Sequence, residues 1–402
     1  EIAQCLVGSE MCIRDRAYIF YYKNLTRGAL PLRRGPRDLS VDMSESLNGK
    51  VNPTPDPLKK TKKKKSTIKM AAIFLGVAVI VACILVCLPL LIEKAARDAL
   101  IKIPRNATNE MVQDSISKYL DDEYAEKVMR VAKIRGSEYG ERYGAYLIEQ
   151  GMSPLQAEHR LSHGAQQPLT VTINRFRTLE NLAKKVAAKL DFSADDLIKT
   201  LKNEELLAEY GLTFDQALSL FVEDSYDFYW TASPTAFIQK IGANYNKIWN
   251  EERIQKAKDL GLTPAELMTI ASIVDEETNK LDEKDEIGRL YINRYKKGMK
   301  LQADPTVKYS VGDFSLRRIL NTHLKTRSPY NTYLNTGLPP GPIRTTSLAT
   351  IDQILNSKPS EDIYMCAKED FSGYHNFAAT YKEHLANAKR YQAALNKRGI
   401  KK

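Results

Sequence analysis

The stretch from Met70 to Ile92 is almost wholly apolar and carries no charged side chain. A bilayer core of about 30 Å is crossed by roughly 20 such residues in a helix, and a helix satisfies its backbone polar groups internally. The run is longer than the apolar region of a secretory signal, and no small-residue cleavage site follows it. A permanent single-pass membrane anchor is therefore expected, with Pro89 tolerable near its end. The rest of the chain must be arranged around that span.

Charge sets the orientation. The formal net charge of +11 would suit a nucleic-acid partner. However, Lys59, Lys60, Lys62, Lys63, Lys64, Lys65 and Lys69 crowd into one stretch just ahead of the span, leaving the remainder mildly basic. After the span, Glu93, Lys94, Arg97 and Asp98 are mixed in sign. The positive-inside rule puts the N-terminus in the cytoplasm and everything beyond Ile92 outside. Nucleic acid and ATP are thereby disfavoured, and the cell envelope is favoured. Residues 1–42 fit nothing that follows. The segment Cys5 to Arg16 resembles translated adapter read-through, and Met43 is the expected natural start. Residues 43–69, polar and bearing Pro53, Pro55 and Pro57, lack the apolar content to pack and are expected to be disordered. Cys366 is the sole cysteine beyond the span, and no Cys/His spacing resembles a metal site. Neither a disulfide, a metal nor an organic cofactor is expected.

The exported part reads as a mixed α+β fold. Residues 96–167 read as two similar units, each an extended piece, a turn and a helix. In the second, Ala145 to Ile148 forms a strand and Ser153 caps a helix that opens on Pro154. Such units resemble LysM glycan-binding modules. Residues 168–260 read as a connecting region. A strand starts at Leu169 and a helix opens at Thr178; further helices are expected at Asp196–Lys202 and Thr213–Phe221. The aromatics Tyr226, Phe228, Tyr229 and Trp230 can line a sugar groove, but rings that bury large areas more often belong to a core. Residues 261–402 are left as a C-terminal domain.

Its first helix carries the chemistry. Thr263, Pro264 and Glu266 supply an N-cap, a first-position proline and a capping-box carboxylate. Leu267, Ile270, Ala271 and Val274 then recur on one face and predict a single buried stripe. Asp275, Glu276 and Glu277 follow. Glu276 points away from the stripe, while Asp275 and Glu277 fall on its two edges. A carboxyl half-sunk among apolar side chains has its pKa raised, as a general acid working near neutral pH requires. Periodicity alone does not choose between Asp275 and Glu277, and a solvated acidic helix end fits the pattern as well.

Groups suited to holding a sugar come next: Asn293 at a helix end; Gln302, Asp304 and Thr306 in a segment read as extended; and Tyr330, Asn331 and Thr332 in a hydroxyl-rich cluster. Gly337 to Ile343 (Gly-Leu-Pro-Pro-Gly-Pro-Ile) reads as a stiff loop whose glycines permit close approach. His375 carries an imidazole suited to binding or to structure.

Together these pieces resemble the endolytic murein transglycosylase family, the YceG-like proteins. Ile270-Ala271-Ser272-Ile273-Val274-Asp275-Glu276-Glu277-Thr278 is similar to the family's catalytic helix. Similar in order and spacing are Asn293-Arg294, Leu301-Gln302-Ala303-Asp304-Pro305-Thr306, Ser328-Pro329-Tyr330-Asn331-Thr332-Tyr333, the Gly337–Ile343 loop, and Gly373-Tyr374-His375-Asn376-Phe377. The resemblance puts the essential glutamate at Glu277. Asp275 stands where the family has a glutamate, and Glu223 where it usually has a proline. The resemblance implies a LysM-like subdomain ahead of the catalytic domain. It also implies lytic cleavage of the β-1,4 bond between N-acetylmuramic acid and N-acetylglucosamine to give 1,6-anhydro ends. Glu277 acts in turn as acid and base. Gln302, Tyr330, Asn331 and Thr332 position substrate, Asp304 orders the site, and His375 binds sugar or supports Glu277. Peptidoglycan strands and cell-wall synthases of the same membrane are the implied partners. Two other readings stay open: a muramidase-type hydrolase with Asp304 as second carboxylate, and a peptidoglycan-binding protein without catalysis.

Overall fold

The structure, a computed structural model, describes residues 59–316 and 319–398, with side chains from Lys69 onward. The expectations for residues 1–58 lie outside the described residues. The chain divides into two units at Phe74/Leu75, a boundary inside its first helix, α1 (Lys59–Ile92). The helix starts ahead of the apolar run, so the lysine-rich stretch is helical from Lys59 where disorder was expected. Lysine is a good helix former, and adding residues to an existing helix avoids the cost of nucleation. From Lys69 to Ile92 the helix is long and apolar enough to cross a membrane, and its apolar side chains other than Leu90 lie open.

Beyond α1 the fold is mixed α+β. Strand β1 (Ala99–Ile103) is followed by α2 (Asn109–Ser117), α3 (Asp122–Arg135), β2 (Gly144–Ile148) and α4 (Pro154–His163). β1 and β2 pair antiparallel, Ala99 opposite Ile148 and Ile103 opposite Gly144. The two expected units are thus replaced by one strand–helix–helix–strand unit with α4 added. The reason is that each strand alone leaves a ladder edge unpaired, and the two ends of the segment satisfy each other. Ile101, Ile103, Val112, Ile116, Tyr124, Val128, Ile148 and Leu161 form a core of their own. Ser153 caps α4 with a complete capping box and Pro154 at its start, as predicted.

A second core runs without interruption from Val171 to Leu355, so residues on both sides of position 260 share it. β3 (Leu169–Ile173) pairs antiparallel with β4 (Asp224–Phe228). Sharing the core with this ribbon are α5 (Leu179–Ala187), α6 (Ala194–Leu201), α7 (Glu204–Ala208), α8 (Pro234–Ile248) and α9 (Glu251–Asp259). The helix expected over Thr213–Phe221 is a 3-10 helix spanning Phe214–Leu220. Tyr226, Phe228 and Trp230 are buried, and Tyr229 is exposed. The first three are core, and the site described below is not lined by any of the four.

At the centre lies α10 (Pro264–Glu277), with ten of its fourteen residues buried. The single stripe predicted from periodicity is therefore too narrow. Met268, Thr269, Ser272 and Ile273 are covered as well, because the helix is packed on several sides by α9, α11 (Lys284–Lys296), α12 (Asp304–Val311), α13 (Leu348–Leu355) and the 3-10 segment. A helix covered all round loses its amphipathic signature. The loop 337–343 closes over it: the Ile343 amide donates to the buried Ser272 hydroxyl at 3.0 Å. A Cβ on Gly341 would sit 1.9 Å from the Asp215 carbonyl oxygen, so only glycine fits there. The N-terminus of α10 has the predicted capping box of Thr263 and Glu266. Thr263→Ala is expected to cost about 1 kcal/mol, readable as a lowered denaturation midpoint with an unchanged slope.

The hairpin β5 (Tyr364–Ala367) and β6 (His375–Ala378) pairs Tyr364 with Ala378. The last helix, α14 (Tyr381–Lys397), packs on both strands.

Candidate active site

The three consecutive carboxylates at the end of α10 meet three different environments. Asp275 is buried, and both of its carboxyl oxygens are hydrogen-bonded. Lys284 pairs with it, Thr350 donates to Oδ1 at 2.7 Å, and Thr346 donates to Oδ2. Through Lys284 and Thr350 it ties α10 to α11 and α13. Glu276, half-buried, is gripped by Arg177 at 2.8 Å and by Arg344 at 3.3 Å. Arg344 in turn pairs with Glu223 at 2.7 Å and donates to the Asp275 carbonyl at 3.2 Å. The solvated acidic helix end is therefore excluded, since these two residues are built into ion pairs.

Glu277 differs from both. The residue is half-buried, and its Oε1 accepts the Tyr291 hydroxyl at 2.6 Å. Its pKa is pushed up to about 7, chiefly because burial disfavours the charged form. The Tyr291 hydrogen bond opposes that rise, while the nearby charges of Asp304 and Glu276 add to it and Lys308 subtracts from it. A carboxyl with this pKa both gives and takes a proton near neutrality.

Glu277 faces a groove of about 400 Å³. One wall is α11 with Leu290, Tyr291 and Arg294, followed by Leu301, Gln302, Asp304 and Tyr333. The lining is completed by Ile363, β5 from Tyr364 to Ala367, His375 of β6 and His384 of α14. Asp304 opens α12, where an extended segment was predicted; the following Pro305 suits a first helical turn. The Tyr333 hydroxyl donates to Asp304 at 2.7 Å. Gln302 has φ of 53°, a conformation rare outside glycine, and its side chain accepts from Arg294 at 2.7 Å. His375 lies against the buried Glu283 with Nδ1 at 3.0 Å, and its backbone N–H also donates to Glu283. Nδ1 is thereby occupied as the donor to a carboxylate, which leaves Nε2 as the other ring nitrogen. Tyr364 stacks on His384 with centroids 5.2 Å apart.

Of the residues predicted from sequence, Glu277, Gln302, Asp304 and His375 line this groove together. Five others do not. Asn293 spends its amide on the Ser360 and Asp362 carbonyls, pinning the approach to β5. The Asn331 amide donates to Leu324 and Thr326. Thr306 and Thr332 are buried and bonded to each other at 2.8 Å. Tyr330 packs on Tyr309 at 4.7 Å. Their polar groups are consumed within the protein, so the direct sugar contact expected of them becomes support for the groove wall. Sequence reasoning passed over Tyr364, Met365, Ala367 and His384. Its motifs contained Arg294 and Tyr333 without marking them as site residues, and Tyr291 stands just ahead of the Asn293-Arg294 pair. A polar cluster shows a side chain's chemistry but not its direction.

A groove of this size holding one carboxyl poised at neutrality, with tyrosines, histidines and an amide around it, has the equipment of general acid/base catalysis on a polar, neutral substrate. The chain belongs to the YceG-like family, whose profile matches residues 101–390. It is 26% identical over 324 residues to the endolytic murein transglycosylase of Bacillus subtilis, covering 76% of this chain and 89% of that protein. It is 27% identical over 253 residues to the endolytic murein transglycosylase of Streptococcus pneumoniae, covering 56% of this chain. The match spans 46% of the pneumococcal protein's length. A crystal structure of a YceG-like protein from Listeria monocytogenes is similar at 23% identity and a TM-score of 0.49, over 72% of this chain and 98% of that one.

Proposed function

We propose that this protein is a membrane-anchored endolytic peptidoglycan transglycosylase. It cleaves the β-1,4 bond between N-acetylmuramic acid and N-acetylglucosamine in nascent strands. The observation that carries the reading is Glu277, a single carboxyl with a pKa of about 7 in the wall of an open groove. Glu277 gives its proton to the glycosidic oxygen as the bond from C1 breaks. The C6 hydroxyl of the same muramic acid then attacks C1, and its proton returns to Glu277. One carboxyl therefore suffices, no water is consumed, and the products are a 1,6-anhydro end and a free 4-hydroxyl. Gln302, Asp304 and His375 position the sugar. Asn293, Thr306, Tyr330, Asn331 and Thr332 hold the walls that carry them.

In this reading residues 96–167 are a LysM-like glycan-binding unit, supported by their separate core. The apolar helix holds the enzyme in the bacterial inner membrane with its N-terminus in the cytoplasm and the site outside. That placement suits action on strands leaving cell-wall synthases in the same membrane and the ending of their elongation. The hydrolase reading draws support from Asp304, a second carboxylate in the same groove. The test is cleavage of uncrosslinked glycan strands by the full chain in liposomes. Internal fragments spanning many lengths are the expected result. Release of single terminal disaccharides would contradict endolytic action, and retained binding without any cleavage would leave a glycan-binding protein.

A further inference from the structure

The Glu277 carboxyl has two oxygens, and the surrounding protein treats them differently. Oε1 accepts the Tyr291 hydroxyl at 2.6 Å, and among the described residues no other hydrogen bond reaches the carboxyl. Tyr291 is buried on α11, and burial followed by the Glu277 charge holds its hydroxyl well above the ordinary tyrosine pKa. It therefore stays protonated throughout the working range, and its one proton is committed to Oε1.

The geometry points to Tyr291 as a positioning residue that reserves Oε2 of Glu277 as the oxygen that exchanges the proton with substrate. The assignment rests on the lytic reading above. A short hydrogen bond from a buried neutral donor stabilises the ionised carboxylate. It also fixes the rotation of the carboxyl plane, so the proton-bearing oxygen presents one direction to both the glycosidic oxygen and the C6 hydroxyl. The other groups around Glu277 are Glu276 on its own helix, Arg294 on α11, Asp304 and Lys308 on α12, and Tyr333 in the loop beyond. Tyr364, His375 and His384 line the same groove. All of them are unchanged in a Tyr291 variant, so a comparison with the parent protein isolates the one hydroxyl.

The test is the pH dependence of strand cleavage by the full chain in liposomes, for the parent protein, Tyr291→Phe, Glu277→Gln and a protein with 3-fluorotyrosine at position 291. The fluorinated ring keeps its shape and is a stronger donor. Tyr291→Phe is expected to move the alkaline limb of kcat/KM upward by about one pH unit. Its kcat should fall about tenfold and its KM stay within about twofold. Fluorotyrosine is expected to move the limb the opposite way. Limbs that stay in place in both variants, with cleavage still abolished in Glu277→Gln, overturn the role of Tyr291 and leave the lytic reading standing. Cleavage that survives in Glu277→Gln overturns both.

Discussion

Glu277→Gln is expected to lower strand cleavage by about 10³-fold while making the folded protein more stable above pH 7. The two effects have one cause. Burial raises the pKa of Glu277 from 4.5 to about 7, so ionising the carboxyl opposes folding. The native state gains nothing from this group's charge. Its contribution is fully favourable below about pH 4.5 and is lost as pH rises through about 7. Glutamine stays neutral, keeps the shape and still accepts the Tyr291 hydroxyl. The variant should therefore match the parent near pH 4 and exceed it by about 2 kcal/mol at pH 8, a figure reduced from the full linkage value because the residue is partly accessible. Denaturant titrations at the two pH values measure the difference. Equal stabilities at pH 8 would mean that Glu277 ionises in the ordinary carboxylate range and is no general acid.

Arg344→Ala is expected to cost about 3–5 kcal/mol, the largest stability loss of any single side chain around the site. Arg344 is almost wholly buried. It donates to Glu223, Glu276, the Thr345 carbonyl and the Asp275 carbonyl. Alanine leaves Glu223 and Glu276 short of their shared counter-charge and frees two carbonyls in a dry place. Lysine should recover little, because a point charge cannot reproduce four donors spread over a planar fork. Since Arg344 holds the last turn of α10, activity in the fraction that still folds should fall too. A loss under about 1 kcal/mol in guanidinium denaturation would show that the network contributes nothing net. Glu223, which stands where the resemblance led one to expect a proline, has a use here. Its backbone N–H donates to the Thr346 carbonyl at 2.9 Å, a bond proline cannot make, and its carboxylate completes the pairing of Arg344.

Local signals were legible in the sequence because short stretches contain their own causes. The apolar span, the Ser153 and Thr263 caps with their prolines, and the acidic end of α10 all stand where the residues predicted them. What could not be read was direction and partnership. Asp275 and Glu277 were equivalent by periodicity, and only Lys284, Thr346 and Thr350, brought in from later segments, separate them. The β5–β6 wall went unseen because its strands are short and β5 is evenly half-buried, leaving no alternation to detect. β1 and β2 were read as belonging to two units because their pairing is set by a ladder closed across forty residues, which local pattern does not encode. Thr306, Asn331 and Thr332 looked like sugar ligands because hydroxyls and amides serve equally well as internal fasteners.

The measurement closest to the central claim is cleavage of uncrosslinked strands in water enriched in oxygen-18, with the products read by mass spectrometry. A single carboxyl that closes the anhydro ring uses no water. The account therefore predicts 1,6-anhydro ends free of the label, abolished in Glu277→Gln. Reducing muramic acid ends carrying one oxygen-18 would contradict it and make the enzyme a hydrolase, with Asp304 the first residue to replace.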